Sequence, residues 1–220
     1  MSRQFSSHLF LKEANRIIAD ERSRTISVLD DRTPVVGSLR SLDEETLAPG
    51  ISKEIKAAGG IFLLVPVVGD LNLLMNAVPQ EVKCGQMALF NGTAVVTIRN
   101  GYENELVQFL LLQFNIPGLP DRRLFHLYSF DLDKKSGTGS RVFTWEEVVV
   151  SIRKMSMREE LVYKPRPGAA TVFCYMIRGS GEIAGRLLHD GDGLVLWNSG
   201  VFETESFGPE TILLLIEMVQ

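Results

Sequence analysis

Histidine is scarce in these 220 residues: only His8, His126 and His189 occur, and none lies between His8 and His126. Cysteine is scarcer still. Cys84 and Cys174 cannot staple a chain of this length, and neither belongs to a Cys-x-x-Cys motif, so a disulfide scaffold and a local thiolate metal site are both excluded. Long apolar runs are missing too. The longest, Ile61 to Val68, carries Pro66 and stops at Gly69-Asp70, far short of a membrane-spanning helix. Basic charge is not in excess: 23 Lys and Arg against 27 Asp and Glu give a net charge of −4, without the broad positive field that drives binding to nucleic acid or anionic membranes. The first residues, MSRQFSSHLFLKEANR, show no apolar core followed by a small-residue cleavage site. The expectation is a cytoplasmic protein with reduced thiols, no membrane association and no direct nucleic-acid binding.

What is present is a rhythm of short apolar runs divided by turn residues. Residues 60–65, 86–90, 93–98 and 106–114 have the length and flanks of strands, with Asn91-Gly92 and Asn100-Gly101 as turn signals. The second half repeats this at 171–177, 193–197 and 211–219, with turns at Gly179-Ser180-Gly181 and Asp190-Gly191-Asp192-Gly193. Many short strands and 19 glycines indicate sandwiches or barrels. Residues Glu13 to Arg24 fit either a short helix or a solvated strand and loop. Asn115-Ile116-Pro117-Gly118-Leu119-Pro120-Asp121 is the best boundary, dividing the chain into two tandem β-barrels at 1–117 and 118–220.

Several motifs dissolve on inspection. Gly179-Ser180-Gly181-Glu182-Ile183-Ala184 fits a loose dinucleotide fingerprint, but the residues that follow turn within a few positions instead of starting a helix, so it reads as a hairpin. Asp190-Gly191-Asp192-Gly193 resembles a calcium loop until Leu194 and Val195 fall where an oxygen ligand and a glycine are needed. The acidic groups Asp43-Glu44-Glu45, Glu146-Glu147 and Glu159-Glu160 read as solvated faces, because adjacent acids repel. Cys174, within Phe173-Cys174-Tyr175-Met176, reads as a small buried hydrophobe.

The order of segments resembles the pirin-like, quercetinase-related bicupins. Val172 to Gly179, then Gly181-Glu182-Ile183, then Leu188 to Trp197 is similar to the closing cupin barrel of that family. Leu9 to Arg16 is similar to its opening strand, and Val36 to Arg40 with Asp43-Glu44 and Ala48-Pro49-Gly50 to the entry of its first barrel. The resemblance implies an all-β fold of two tandem cupin (jelly-roll-like) barrels with little helix. It also implies one iron-like metal in the first barrel, held by a His-x-His pair and a later His-x-Glu. With Gly69 and Gly85 as anchors, those ligand positions fall at about Ile55 and Ala57, and at about Ile98 and Asn100. No imidazole is available there, and carboxylates such as Glu54 would favour hard ions. The expectation is therefore a degenerate metal site without metal or other cofactor. It goes with a binding protein whose partner is an unknown small molecule or protein, in a role of the regulatory kind found in that family. The alternative is a dioxygenase or isomerase of the quercetinase type with a relocated site, drawn from His189, Trp197 and Glu203 in the second barrel or His126 near the boundary. A homo-oligomer joined through edge strands is also open.

Overall fold

The computed structural model describes residues 5–55, 59–91, 95–116, 125–132, 140–144 and 147–219. In chain order the first strands are β1 (Ser6–Phe10), β2 (Arg16–Ala19), β3 (Ser23–Leu29), β4 (Leu39–Leu47), β5 (Ser52–Ile55), β6 (Ile61–Val68), β7 (Leu71–Met75), β8 (Val78–Val82), β9 (Gln86–Asn91), β10 (Val96–Arg99), β11 (Val107–Phe114) and β12 (Phe125–Ser129). They continue as β13 (Ser140–Thr144), β14 (Val148–Ser156), β15 (Glu160–Tyr163), β16 (Ala169–Arg178), β17 (Ser180–Ile183), β18 (Arg186–His189), β19 (Gly193–Trp197), β20 (Phe202–Ser206) and β21 (Glu210–Val219). The helical content among the described residues is a single 3-10 turn, Lys12–Ala14. Residues 13–24 are thus mostly strand and turn, because Ile17, Ile18 and the β-branched pair Thr25 and Ile26 favour an extended hairpin over a helix with a narrow apolar stripe. Among the described residues no helix is long and apolar enough to cross a membrane.

Contacts divide the chain into residues 16–130 and a second unit made of residues 1–15 with 131–220. In the first, a sheet ordered β12-β9-β6-β11-β4-β3-β2 is accompanied by one ordered β5-β10-β7-β8. The second repeats the plan with β1-β19-β16-β21-β14-β13 and β15-β20-β17-β18. Both units place their last long strand, β11 or β21, between the same two partners, β6 and β4 or β16 and β14. The expected all-β architecture, repeated in two units, is the architecture found.

The expected division at 117/118 differs from the contact units in one instructive way. β12 lies beyond that boundary yet pairs with β9. β1 comes first in the chain yet pairs with β19 across all five residues, from Ser6 opposite Trp197 to Phe10 opposite Gly193. An edge strand joins a sheet through backbone hydrogen bonds, which any extended sequence can make, so neither proline-rich punctuation nor order along the chain reveals which sheet it joins. Part of the expected boundary, residues 117–121, lies outside the described residues.

Local chemistry explains two irregularities. Pro66 sits inside β6, where a missing N–H would break a ladder, but β9 pairs only with Ile61 to Leu64, and the partner strand β11 shifts register between Gln108 and Phe109. The turn after β6 carries Gly69 at φ 74°, and the matching turn after β16 carries Gly179 at φ 89°. A Cβ at either would also stand under 3 Å from a neighbour, Val107 or the Glu210 carbonyl, so glycine is required twice over.

The N-terminal segment is fixed in the second unit by more than its ladder. Asp192 is buried and accepts the Lys12 N–H at 2.9 Å on Oδ1 and the His189 N–H at 2.8 Å on Oδ2, while Lys12 Nζ reaches Asp190 at 3.1 Å. The Asp190-to-Gly193 turn is thus a clasp for residue 12. Phe10 packs edge-to-face on Phe173 with centroids 5.9 Å apart. Phe10→Ala is expected to cost about 3 kcal/mol of stability. Hydrogen exchange should show the loss at the amides of β19 and leave those of β9 unchanged.

Candidate functional site

Strand alternation decides which side chains face a barrel interior. In the first unit Leu47, Ile55, Phe62, Leu64, Leu71, Leu73, Met75, Ala88, Phe90, Val96, Ile98, Phe109 and Leu111 share one buried core. Ile55 is 7% exposed and lies opposite Val96, while Ile98 is fully buried and lies opposite Lys53 and Leu73. Two of the positions where the resemblance implies metal ligands are therefore core residues. Ala57 lies outside the described residues.

Asn100, the fourth such position, is fully buried and fully employed. Its side-chain amide donates to the carbonyls of Leu47 and Ala48 at 3.1 Å each and of Glu105 at 2.7 Å. Its Oδ1 accepts the Tyr102 N–H at 2.9 Å, and its own N–H goes to the Ile51 carbonyl. This side chain organises the backbone that leaves β4 and β10 and leads into β11. With two aliphatic residues and one saturated amide, the described positions do not fit an iron-like ion, which asks for imidazole or free carboxylate oxygen.

The polar groups of this barrel gather at another place. Asp43, Glu45 and Leu47 alternate along β4, and Asp43 lies opposite Leu111 and Glu45 opposite Phe109, on the face of the core. On the other side of β4, Ser27 faces Asp43 and Thr25 faces Glu45. Lys53, two residues before Ile55, reaches over from β5 to Glu45 Oε1 at 2.5 Å and to Thr25 Oγ1 at 2.9 Å. Thr25 Oγ1 donates in turn to Glu45 Oε2 at 2.9 Å. Glu45 is only 2% exposed, so the reading of Asp43-Glu44-Glu45 as a solvated face is corrected. Two-residue periodicity sends residues 43 and 45 inward together, and Lys53 and Thr25 supply the compensation a buried carboxylate needs. Burial pushes the Asp43 carboxyl up to about 6, with the neighbouring Glu45 charge adding to the rise and the Ser27 hydrogen bond and Lys53 opposing it.

The second barrel has its own interior polar group, which inspection of the sequence misses. Leu213, Leu215 and Glu217 alternate along β21, and Leu213 and Leu215 belong to the core with Tyr163, Val172 and Cys174. Buried Glu217 accepts the Tyr163 hydroxyl and the Arg166 N–H at 2.8 Å. The usable signal is a charged residue in phase with leucines of a strand. Buried Arg153 pairs with Glu159 at 2.9 Å, so that acid is not a purely solvated one. Glu160 is exposed, and Glu146 lies outside the described residues. Cys174 is fully buried, which holds its thiol well above the usual range.

The relocated-site candidates stand apart. His189 is exposed at the end of β18 opposite Ser180, and Glu203 is exposed on β20 opposite Val162. Trp197 belongs to the other sheet, between Ser6 and Thr171. Glu203 lines an open groove with Glu160, Glu182 and Glu205, an acidic face without imidazole. His126 stacks edge-to-face on Tyr128 at 4.4 Å in the first unit, and His8 on Phe10 at 4.7 Å in the second. Among the described residues no group of three or more His, Cys, Asp or Glu side chains is arranged to hold a metal ion.

Neither a family model nor a curated protein matches the sequence. Solved structures do match the fold. Bacterial pirin YhhW from Escherichia coli, in complex with nickel(II), superposes with a TM-score of 0.80 at 12% identity, covering 97% of this chain and 99% of that one. YhaK from Escherichia coli gives 0.73 at 15% identity, with 95% of both chains covered. Vicilin from Corylus avellana (hazelnut) gives 0.68 at 12%, covering 96% of this chain and 85% of that one. The chain has a pirin-like, two-barrel cupin fold.

Two expectations follow from the polar corner. Glu45→Ala leaves Lys53 and Thr25 without their acceptor and should cost about 2 kcal/mol in urea unfolding, whereas Glu45→Leu combined with Lys53→Met should recover most of it. For Asp43, folding raises proton affinity, so between about pH 4 and pH 6 the folded state keeps a proton that the unfolded chain has released. Its contribution to stability is present below pH 4 and declines as pH rises through 6. Asp43→Asn should abolish that decline, a difference on the order of 2 kcal/mol between pH 4 and pH 7.

Proposed function

We propose that this pirin-like bicupin works by binding a small molecule or a protein, in a regulatory role, and that its first barrel carries no catalytic transition metal. The observation that carries the reading is the use made of the aligned ligand positions. Ile55 and Ile98 are packed in the core, and every hydrogen-bonding group of the Asn100 amide is committed to backbone. Metal-assisted oxygen chemistry requires a centre that binds and polarises oxygen or substrate, with open coordination positions and ligands that deliver electron density. Aliphatic side chains in close contact supply neither the ligands nor the space. The nearby carboxylates do not replace them, because Glu45 is neutralised by Lys53 and Asp43 favours its protonated form at mildly acid pH.

Similarity of fold leaves this reading free, since chemistry resides in a site and not in a barrel. The nickel(II) of YhhW belongs to a chain only 12% identical to this one. A binding role is compatible with a filled interior, because the smaller sheets keep exposed side chains for a partner, Leu74 and Val78 in the first unit and Val162 and Leu187 in the second.

The test is elemental analysis of protein prepared without an affinity tag, next to oxygen-uptake assays with flavonols and added ferrous, manganese and nickel ions. The expected result is no stoichiometric metal and no turnover with any ion. One equivalent of bound metal, lost together with flavonol oxidation on substitution of His126 or His189, would overturn the reading in favour of an enzyme with a relocated site.

A further inference from the structure

β2 is the last strand of its sheet, a four-residue edge whose one charge is Arg16 at its start. All four of its residues are exposed, with Ile17 at 53% and Ile18 at 55%, and no proline or lysine protects it. Natural edges are normally blunted by charge, proline or a covering element, because bare N–H and C=O groups recruit another strand. An apolar edge left open in this way calls for an occupant.

The hairpin fixes which backbone groups are free. β2 pairs with β3 through Arg16–Ser27, Ile17–Ile26, Ile18–Thr25 and Ala19–Arg24, and the Asp20 N–H donates to the Ser23 carbonyl at 2.9 Å. Antiparallel ladders alternate bonded and non-bonded pairs, so residues 16, 18 and 20 turn their amide groups to β3. Ile17 and Ala19 turn theirs outward.

We propose that β2 is a self-association edge, pairing antiparallel with β2 of a second copy about a two-fold axis through Ile18. In that register Ile17 faces Ala19 of the second copy, and the two pairs exchange four N–H···O=C bonds using every outward group of the strand. The Ile18 side chains meet across the axis on one face. On the same face, two positions away on either side, Arg16 lies opposite Asp20 of the second copy, an attractive pair made twice. Asp20 is suited to this: its bonds from the Arg22 and Ser23 N–H groups and the Ser23 hydroxyl all fall on Oδ1, and Oδ2 lies on the same carboxylate. A register moved by one residue opposes outward to inward amides. One centred on Ile17 needs the Asn15 N–H, which already donates to the Lys12 carbonyl. The strand thus specifies its own complement, independently of whether the barrel holds a metal.

Analytical ultracentrifugation of the full chain over a range of concentrations tests this, with two variants. Ala19→Pro removes an N–H that faces solvent in the monomer and is tolerated at an edge. Arg16→Glu sets two acidic pairs against each other across the axis. The wild type should show a reversible monomer–dimer equilibrium, and each variant should weaken it by about tenfold or more with an unchanged thermal melt. Should Ala19→Pro lower the melting temperature, Arg16→Glu alone decides. A wild type that is monomeric at every concentration, or a dimer that Arg16→Glu leaves as tight as before, would overturn the proposal.

Discussion

Each barrel depends on the period of two along an antiparallel strand, because that period decides what a barrel contains. Once Leu47 is committed to the interior, Glu45 and Asp43 must follow it inward, and once Ile55 is committed, so must Lys53. The chain accommodates this by placing the lysine of one sheet against the carboxylate of the other and by letting a threonine bridge them. A slip of one residue in β4 would bury Glu44 and Thr46 in place of Asp43 and Glu45 and leave Lys53 with Thr25 but no carboxylate, so the polar corner also guards the register. The second barrel uses the same device with other residues, Glu217 in phase with Leu213 and Leu215 and held by Tyr163 and the Arg166 backbone.

The division of labour between the two units turns on which strand closes each sheet. The first unit is completed by β12, which follows β11 in the chain, and the second by β1, which precedes everything else. The N-terminal residues are therefore structural members of the C-terminal barrel, held by the β1 ladder, by Phe10 on Phe173 and by the Asp192 clasp on Lys12. The two units share this strand plan and a positive-φ glycine at the tight turns after β6 and β16.

Most of the fold is legible in the sequence because its signals are local: strand-length apolar runs, Gly69 and Gly179 at turns, and a Gly179-to-Ala184 motif that turns back too soon for a nucleotide fold. The partner of an edge strand is not local, which is why β1 is unassignable without coordinates. The interior positions of Ile55 and Ile98 are legible only through the family resemblance, which lays its ligand pattern on them. Asp43 and Glu45 are not, because a run of acids reads as a solvated face until the phase of Leu47 is known. Glu217 hides for the related reason that its ligands, Tyr163 and Arg166, are about fifty residues distant. His189, Trp197 and Glu203 illustrate the converse. Residue types suited to chemistry do not make a site when register distributes them over two sheets.

The proposal that the first barrel carries no transition metal is tested most directly at Ile55 and Ile98, by recording their methyl resonances while manganese(II) is added. A paramagnetic ion within the barrel would broaden both methyls beyond detection at one equivalent. Close packing predicts that both persist unchanged at that ratio. Their selective loss, with methyls of the second barrel unaffected, would contradict it.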